Sequence, residues 1–382
     1  MERSVSEVRA AALAARDELV AWLNEAAYPL WLENGWDYRY GGFQECLDLN
    51  GSPVEVPRRA RVQPRQVYAF AQAPRMGWHG DPSGLITHGV QNFLARYRRP
   101  DDLFRAVVMP DGTPLEDAPV LYDQTFALLA FAATNLRGEA DRLRTAILRN
   151  FKREAGGFVS DLSAGLPLQS NPHMHLFEAT LAWSEATGAA EWRALADEIG
   201  GLAVERLCDP LTGVVRENYD GEWNPAPGLA GRRVEPGHQY EWAWLLLRWA
   251  GPDSTQVVQA ARRLLDVTEH SGVCRGVAVN ALLDDFSVHD PESRLWPQGE
   301  RLKANALAAR LFDEERHWRA TVEAANLLLE FLETPLRGLW YDKRTVTGEF
   351  VNEAVPASSF YHIVDAIGEL AALVQRDESH PS

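Results

Sequence analysis

The stretch from Val234 to Trp249, VEPGHQYEWAWLLLRW, predicts a helix that begins near Gly237. Pro236 and Gly237 end any preceding element, and the apolar residues after them recur at helical spacing. His238 would then lie in the first helical turn, where free N–H groups and the macrodipole favour a neutral imidazole. Glu241 follows three residues later on the same face and is a candidate to orient His238. This combination is typical of a general base.

The composition indicates a globular protein with a sizeable core. The chain has 382 residues, of which 46% are hydrophobic and 24% charged. Its formal net charge of −16 argues against nucleic acid and anionic membranes as partners, because Lys and Arg dominate phosphate binding. The 13 Trp residues are suited both to sugar stacking and to core packing.

The cysteines and the N-terminal stretch indicate where in the cell the protein is expected to lie. The 3 cysteines are widely scattered, which predicts neither a disulfide framework nor a clustered cysteine metal site. The first 23 residues alternate charged and apolar side chains, a pattern of neither a signal peptide nor a membrane span. We therefore expect a cytoplasmic protein.

Helical periodicity recurs along the whole chain. About twelve helices are predicted, at 4–25, 63–73, 84–98, 121–136, 139–153, 172–187, 190–207, 238–250, 254–270, 298–312, 315–333 and 357–374. Short turns alternate with longer connections that are rich in Gly and aromatic residues. This alternation is typical of repeated antiparallel hairpins.

Six such hairpins can close into a ring. The second helices of the pairs begin near 63, 121, 172, 238, 298 and 357. The prediction is an all-α (α/α)6 barrel formed by one catalytic domain, residues 1–382, with the second helices inside and short β-hairpins in the long loops. An open solenoid is the alternative, and it needs polar terminal repeats. The last helix is as apolar as the internal ones, which favours closure.

Polar and aromatic side chains stand at the start of each predicted inner helix. Parallel inner helices would bring all of these side chains to one mouth. Burying charged groups at six equivalent positions would cost free energy if they served only to fill the core, so the pattern favours a binding or catalytic site. The residues are Gln63, Arg65, Tyr122, Asp123, Asn171, His173, His175, His238, Glu241, Trp296, Gln298, Glu300, Ser358, Ser359, Phe360 and His362.

Five motifs resemble the N-acylglucosamine 2-epimerase superfamily, most closely its mannose isomerase and aldose–ketose isomerase branch. They are RVQPRQVYAFA at 61–71, NPHMHLFEA at 171–179, EPGHQYEWAW at 235–244, RLWPQGE at 294–300 and PASSFYHI at 356–363. The resemblance implies an (α/α)6 barrel with His238 and His362 as the acid/base pair. It also implies substrate contacts from Arg65, Tyr122, His175, Glu241, Trp296 and Glu300.

Aldose–ketose isomerisation suits these residue types. A base must remove the proton on C2, an enediolate must be held, and the proton must return to C1. We assign this shuttle to His362, because imidazole titrates near neutral pH. His238 would protonate the ring oxygen and then serve O1 and O2, with Glu241 fixing its tautomer.

The remaining residues are assigned to substrate binding. Arg65 would stabilise the enediolate oxygen, and Trp296 would stack on the sugar. Asn171, His175 and Glu300 would bind hydroxyls. The predicted substrate is a monosaccharide, D-mannose/D-fructose first and D-lyxose/D-xylulose second, with neither cofactor nor metal.

Several alternatives stay open. A 2-epimerase would use His238 and His362 on the two faces of C2, and a glycoside hydrolase would use carboxylates from Asp123, Glu241 and Glu300. A third possibility is a helical scaffold without catalysis. The pair His173 and His175 hints at a metal, although residues two apart on a helix point to nearly opposite sides. The long connections 100–119 and 212–234 are candidates for a lid or a homodimer contact.

Overall fold

Proline in the first turn of inner helices sets where several of them begin. The computed structural model describes residues 5–250 and 254–377. Its α-helical segments are α1 Val5–Trp22, α2 Tyr28–Asn34, α3 Val62–Gln72, α4 Ser83–Tyr97, α5 Leu121–Ala133, α6 Arg137–Asn150, α7 Ser170–Thr187, α8 Ala190–Leu202, α9 Pro236–Ala250, α10 Thr255–Ser271, α11 Leu295–Phe312, α12 Glu315–Leu332 and α13 Phe360–Asp377. Because α1 and α2 are joined by a π-helical turn, Leu23–Ala27, the prediction of about twelve helices is confirmed.

Some predicted boundaries are wrong. Helices α7, α9 and α11 begin two or three residues earlier than expected, with Pro172, Pro236 and Pro297 inside their first turns. Proline is tolerated there, since the N–H that it lacks has no partner within the helix. The first helix does not end at Glu25, because the π turn carries it on to Asn34.

The inner helices form a closed ring. In the order α3, α5, α7, α9, α11, α13 each packs against the next, and α13 packs against α3. Helices α4, α6, α8, α10 and α12 each pack on the outside of their hairpin partner, while α1 packs on α12 and α13. The predicted (α/α)6 barrel is therefore confirmed, and the open solenoid is wrong.

Short strands join the loops at one end of the ring. They are β1 Cys46–Leu47, β2 Arg58–Arg59, β3 Val107–Val108, β4 Pro114–Glu116, β5 Leu168–Gln169, β6 Asn218–Tyr219, β7 Arg233–Val234, β8 Val273–Cys274, β9 Val277–Ala278, β10 Ala281–Leu283, β11 Val288–Asp290, β12 Ser293–Arg294, β13 Lys343–Arg344 and β14 Val355–Pro356. All pairs are antiparallel, in the sheets β1-β14, β2-β3-β4, β5-β6, β7-β10-β11, β8-β9 and β12-β13. The pair β1-β14 joins the first and last of these loops.

Buried glutamine side chains fasten these loops to the inner helices. The amide of Gln124 accepts the Phe104 N–H at 2.8 Å and donates to the Phe104 carbonyl at 2.9 Å. The same two bonds join Gln63 to Phe43, Gln239 to Val215 and Gln298 to Ala278. We call these four side chains the amide clamps. Gln63 and Gln298, which stand at predicted helix starts, therefore bind the protein's own backbone.

Among the helices of residues 5–250 and 254–377, none combines the length and apolarity that crossing a bilayer requires.

Removing one amide clamp should destabilise the barrel. Gln124→Leu has a similar volume but leaves the buried N–H and C=O of Phe104 without partners, at about 1–3 kcal/mol for each unsatisfied group. We expect the free energy of unfolding, measured with urea, to fall by about 2–4 kcal/mol. Gln91→Leu, on the exposed face of α4, is the matched control and should stay within about 0.5 kcal/mol of the parent. A Gln124→Leu protein as stable as the control would contradict the clamp.

Candidate active site

One cavity opens where the six inner helices begin. Its volume is about 720 Å³, which suits a small-molecule ligand. Eight of the nine predicted site residues line it: Arg65, Tyr122, Asn171, His175, His238, Glu241, Trp296 and His362. The ninth, Glu300, is fully buried behind His362.

Trp296 lies between the two histidines. The ring centroid of His238 is 5.0 Å from the indole, and that of His362 is 5.5 Å from it. A Cβ atom on Gly237 would lie 2.4 Å from the indole Cζ3, so only glycine lets the indole pack against the start of α9. Two imidazoles from distant parts of the chain thus face one cavity beside one aromatic ring.

His238 is held by carboxylates from the loop before α9. Its Nδ1 lies 2.9 Å from Glu217 Oε2 and 3.8 Å from Glu235 Oε2. Burial lowers the pKa of His238, but Glu217 and Glu235 outweigh it and raise the pKa to about 9. The expected neutral imidazole is therefore wrong, since His238 is an imidazolium at neutral pH. The orienting partner is Glu217, not Glu241.

His362 has the opposite character. Its Nδ1 lies 2.7 Å from Glu300 Oε1, while Glu300 Oε2 lies 2.7 Å from the Lys303 ammonium. Burial holds the pKa of His362 well below 6.5, and the cations Arg65 and Lys303 lower it further. His362 is therefore neutral at pH 7, and Glu300 acts on it from outside the cavity.

Arg65 brings a positive charge to the cavity. One guanidinium nitrogen donates to the Tyr122 hydroxyl at 2.7 Å and another to the Ser358 carbonyl at 3.3 Å. The guanidinium carbon lies 3.9 Å from the Phe126 ring centroid. No ion pair within residues 5–250 and 254–377 includes Arg65, which is only 5% exposed. Its charge is available to an anion that develops in the cavity.

A second group of acceptors lies around His175. Its Nδ1 is 3.1 Å from Glu178 and 3.5 Å from Glu241, and burial lowers its pKa to about 4 even though Glu178 opposes this. Neither carboxylate oxygen of Glu241 has a hydrogen-bond partner in the described structure, and burial raises the pKa of Glu241 well above its usual range. The Asn171 Oδ1 atom is likewise unpaired. These atoms can bind ligand hydroxyls.

Among the residues that the structure describes, two clusters have donor atoms close enough to hold a metal ion: His175 with Glu178 and Glu241, and His238 with Glu217 and Glu235. In the first, Glu178 already binds both His175 and the Tyr361 hydroxyl. In the second, guanidinium groups at 3.0 and 3.4 Å from Glu235 compensate its charge. Both clusters are therefore already partly satisfied by protein groups.

Other predicted mouth residues have structural contacts. His173 Nε2 accepts the Phe158 N–H at 3.0 Å, and its Nδ1 bonds to the Gln169 carbonyl at 2.7 Å. Asp123 pairs with Arg61 at 2.9 Å and does not line the cavity. Glu217 and Lys303 are not among the predicted site residues, because neither forms a local motif with the histidine that it serves.

Comparisons with known proteins identify the family of this chain. The family described as N-acylglucosamine 2-epimerase (GlcNAc 2-epimerase) matches residues 41–366. The mannose-6-phosphate isomerase of Rhizobium meliloti (strain 1021) is 46% identical, over 94% of this chain and 97% of that protein.

Solved structures show the same fold. The cellobiose 2-epimerase from Spirochaeta thermophila superimposes with a TM-score of 0.85 at 22% identity, covering 97% of this chain and 99% of that one. A D-mannose isomerase superimposes with a TM-score of 0.83 at 19% identity, covering 94% and 97%. With its site at the helix starts and its sequence matched over most of its length, this chain belongs to the N-acylglucosamine 2-epimerase family.

Proposed function

We propose that this protein is an aldose–ketose isomerase that interconverts D-mannose and D-fructose, with D-lyxose/D-xylulose as a second pair, through a cis-enediol(ate). One observation carries the proposal: a neutral imidazole, His362, and an imidazolium, His238, lie against the same indole in one cavity. A base and an acid are thus available together at neutral pH.

His362 is the proposed proton carrier. With Nδ1 engaged by Glu300, its Nε2 is the nitrogen that removes the proton from C2 and returns it to C1. The same residue can perform both transfers, because the imidazolium that forms between them is stabilised by the carboxylate of Glu300. Glu300 is a positioning residue in this scheme.

His238 is the proposed acid. As the C1–O5 bond breaks, its imidazolium donates a proton to the ring oxygen and then takes up the proton that the O1 hydroxyl releases. Afterwards it returns a proton to O1 and accepts the one that O2 loses. Glu217 holds Nδ1 throughout, which leaves Nε2 for the substrate. Arg65 stabilises the negative charge of the enediolate, a contribution of roughly 3–4 kcal/mol for a well-placed donor. We assign stacking to Trp296 and hydroxyl contacts to Tyr122, Asn171, His175 and Glu241.

The relatives support an isomerase, since the 46% identical protein is named as one. A 2-epimerase would use the same two histidines and would differ only in where the enediolate is reprotonated. The glycoside hydrolase alternative loses support. Of its three candidate carboxylates, Asp123 is paired with Arg61 and Glu300 lies behind His362, so only Glu241 lines the cavity.

Substitution of either histidine should abolish proton transfer while the fold persists. We expect His362→Asn and His238→Asn each to lower turnover of mannose about 10²–10⁴-fold, the usual contribution of a general acid or base. Exchange of the C2 proton in D₂O, followed by NMR, measures the chemical step directly. His88→Asn, at an exposed position, is the control. Near-normal exchange in either variant would show that its role is misassigned.

The pH profile of kcat/KM should be a wide bell. Activity is lost on the acid side as His362 becomes protonated, which happens well below pH 6.5, and on the alkaline side as His238 loses its proton near pH 9. Glu217→Gln should move the alkaline limb to lower pH, because the largest interaction that raises the His238 pKa is removed. Glu222→Gln, an exposed neighbour, should leave the limb in place. An alkaline limb unchanged by Glu217→Gln would contradict the assignment.

Displacing Trp296 should impair turnover without unfolding the chain. The added methyl group of Gly237→Ala would lie 2.4 Å from the indole and push it away from the two histidines. We expect kcat/KM to fall about 10- to 100-fold, since a shift of 1 Å can cost that much. Gly201→Ala in α8, where a Cβ meets nothing within 4 Å, is the matched control. Equal activity of the two variants would contradict the role assigned to Trp296 in the mechanism.

A further inference from the structure

Two of the cavity arginines that have no part in the proposed chemistry lie on the same wall as Arg65. Arg59 and Arg61 line the cavity just before α3, one helical turn nearer the mouth than Arg65. Four residues of helix correspond to about 6 Å along the axis. The guanidinium groups of Arg61 and Arg65 flank the same Tyr122 ring, at 5.3 and 5.7 Å from its centroid. The three arginines therefore form one wall, which we call the arginine wall.

The arginine wall keeps an excess of positive charge. Arg61 pairs with Asp123 through a single guanidinium nitrogen, and Arg59 pairs with Glu45 through its Nε. Arg65 pairs with no carboxylate in the described part of the chain. Three cations thus face two carboxylates. The Arg59 and Arg61 side chains remain 37% and 26% exposed, so both are accessible to a ligand.

The opposite wall of the cavity has a different balance of charges. Helix α9 lies three places round the ring from α3 and carries His238, with Glu217 and Glu235 beside it. The cavity-lining arginines there, Arg233 and Arg294, both pair with Glu235. Glu241 and Asp342 also line the cavity on this side, so four carboxylates stand against the His238 imidazolium and these two arginines. Positive excess is therefore found on the arginine wall, and an anionic part of a substrate would lie there.

We propose that Arg59 and Arg61 bind the phosphate of a hexose 6-phosphate, which makes the phosphate monoester the preferred substrate. This rests on the proposed function, because it requires C1 and C2 to lie between His362, His238 and Arg65. The C6 end of the sugar then extends one helical turn towards the mouth. Guanidinium forks match phosphate oxygens in geometry and charge. The printed name of the 46% identical relative, a mannose-6-phosphate isomerase, supports the same substrate class.

The test compares two substrates in one assay. For D-mannose and D-mannose 6-phosphate, kcat/KM is measured in the parent protein and in Arg61→Gln/Asp123→Asn. The paired substitution removes the arginine without leaving Asp123 charged, buried and alone. We expect the parent to prefer the phosphate ester, and the ratio of the two kcat/KM values to fall roughly 10- to 100-fold in the variant, as for a lost hydrogen bond to a charged group. Inorganic phosphate should inhibit mannose turnover competitively in the parent and more weakly in the variant.

Arg232→Gln removes an arginine that pairs with Asp284 and Asp285 outside the cavity, and it should keep the parent's ratio. Mannose turnover with neither preference for the ester nor inhibition by phosphate overturns the phosphate site and leaves the proposed function in place. An equal loss on both sugars in the double variant also overturns the site. Failure to isomerise either sugar overturns the proposed function itself.

Discussion

The amide clamps are the interaction on which the site depends. A glutamine near the start of an inner helix pairs with both backbone groups of a residue in the preceding loop, at Gln63, Gln124, Gln239 and Gln298. In the third repeat His173 receives the equivalent N–H from Phe158. A buried backbone group without a partner costs free energy, so each clamp fixes its loop at one position on the helix. The loops carry Glu217 and Glu235, and their fixed position decides where these carboxylates meet His238.

The two histidines differ because their surroundings differ, although both are buried to the same extent. His238 faces two carboxylates and gains a proton, whereas His362 shares its carboxylate with Lys303 and lies near Arg65. Burial alone would lower both pKa values. The distribution of charge around the ring therefore separates an acid from a base, and Trp296 keeps them at one cavity.

This arrangement buries many charges at the barrel axis. The Lys303 ammonium is fully buried, 2.7 Å from Glu300, 4.0 Å from Asp365 and 4.0 Å from the Trp244 ring centroid. Burial raises the pKa of Asp365 to about 7. Buried ion pairs often stabilise a core less than apolar side chains of similar volume would. This cluster is therefore better explained by its effect on the protonation of the catalytic groups.

The sequence by itself determined the ring of six hairpins and most of the cavity. Helical periodicity and alternating loop lengths repeat along the chain, and polar and aromatic residues near the helix starts, such as Arg65, His175 and Trp296, recur in phase with that repeat. The starts predicted near 172 and 298 lie two and three residues too late, because proline ends one element and opens the next equally well. Only the tertiary structure decided which partner each histidine has. Glu217 reaches His238 from 21 positions away and Glu300 reaches His362 from 62. Such distances carry no local periodicity, and the protonation of each imidazole follows from the packed surroundings and not from its place in a helix.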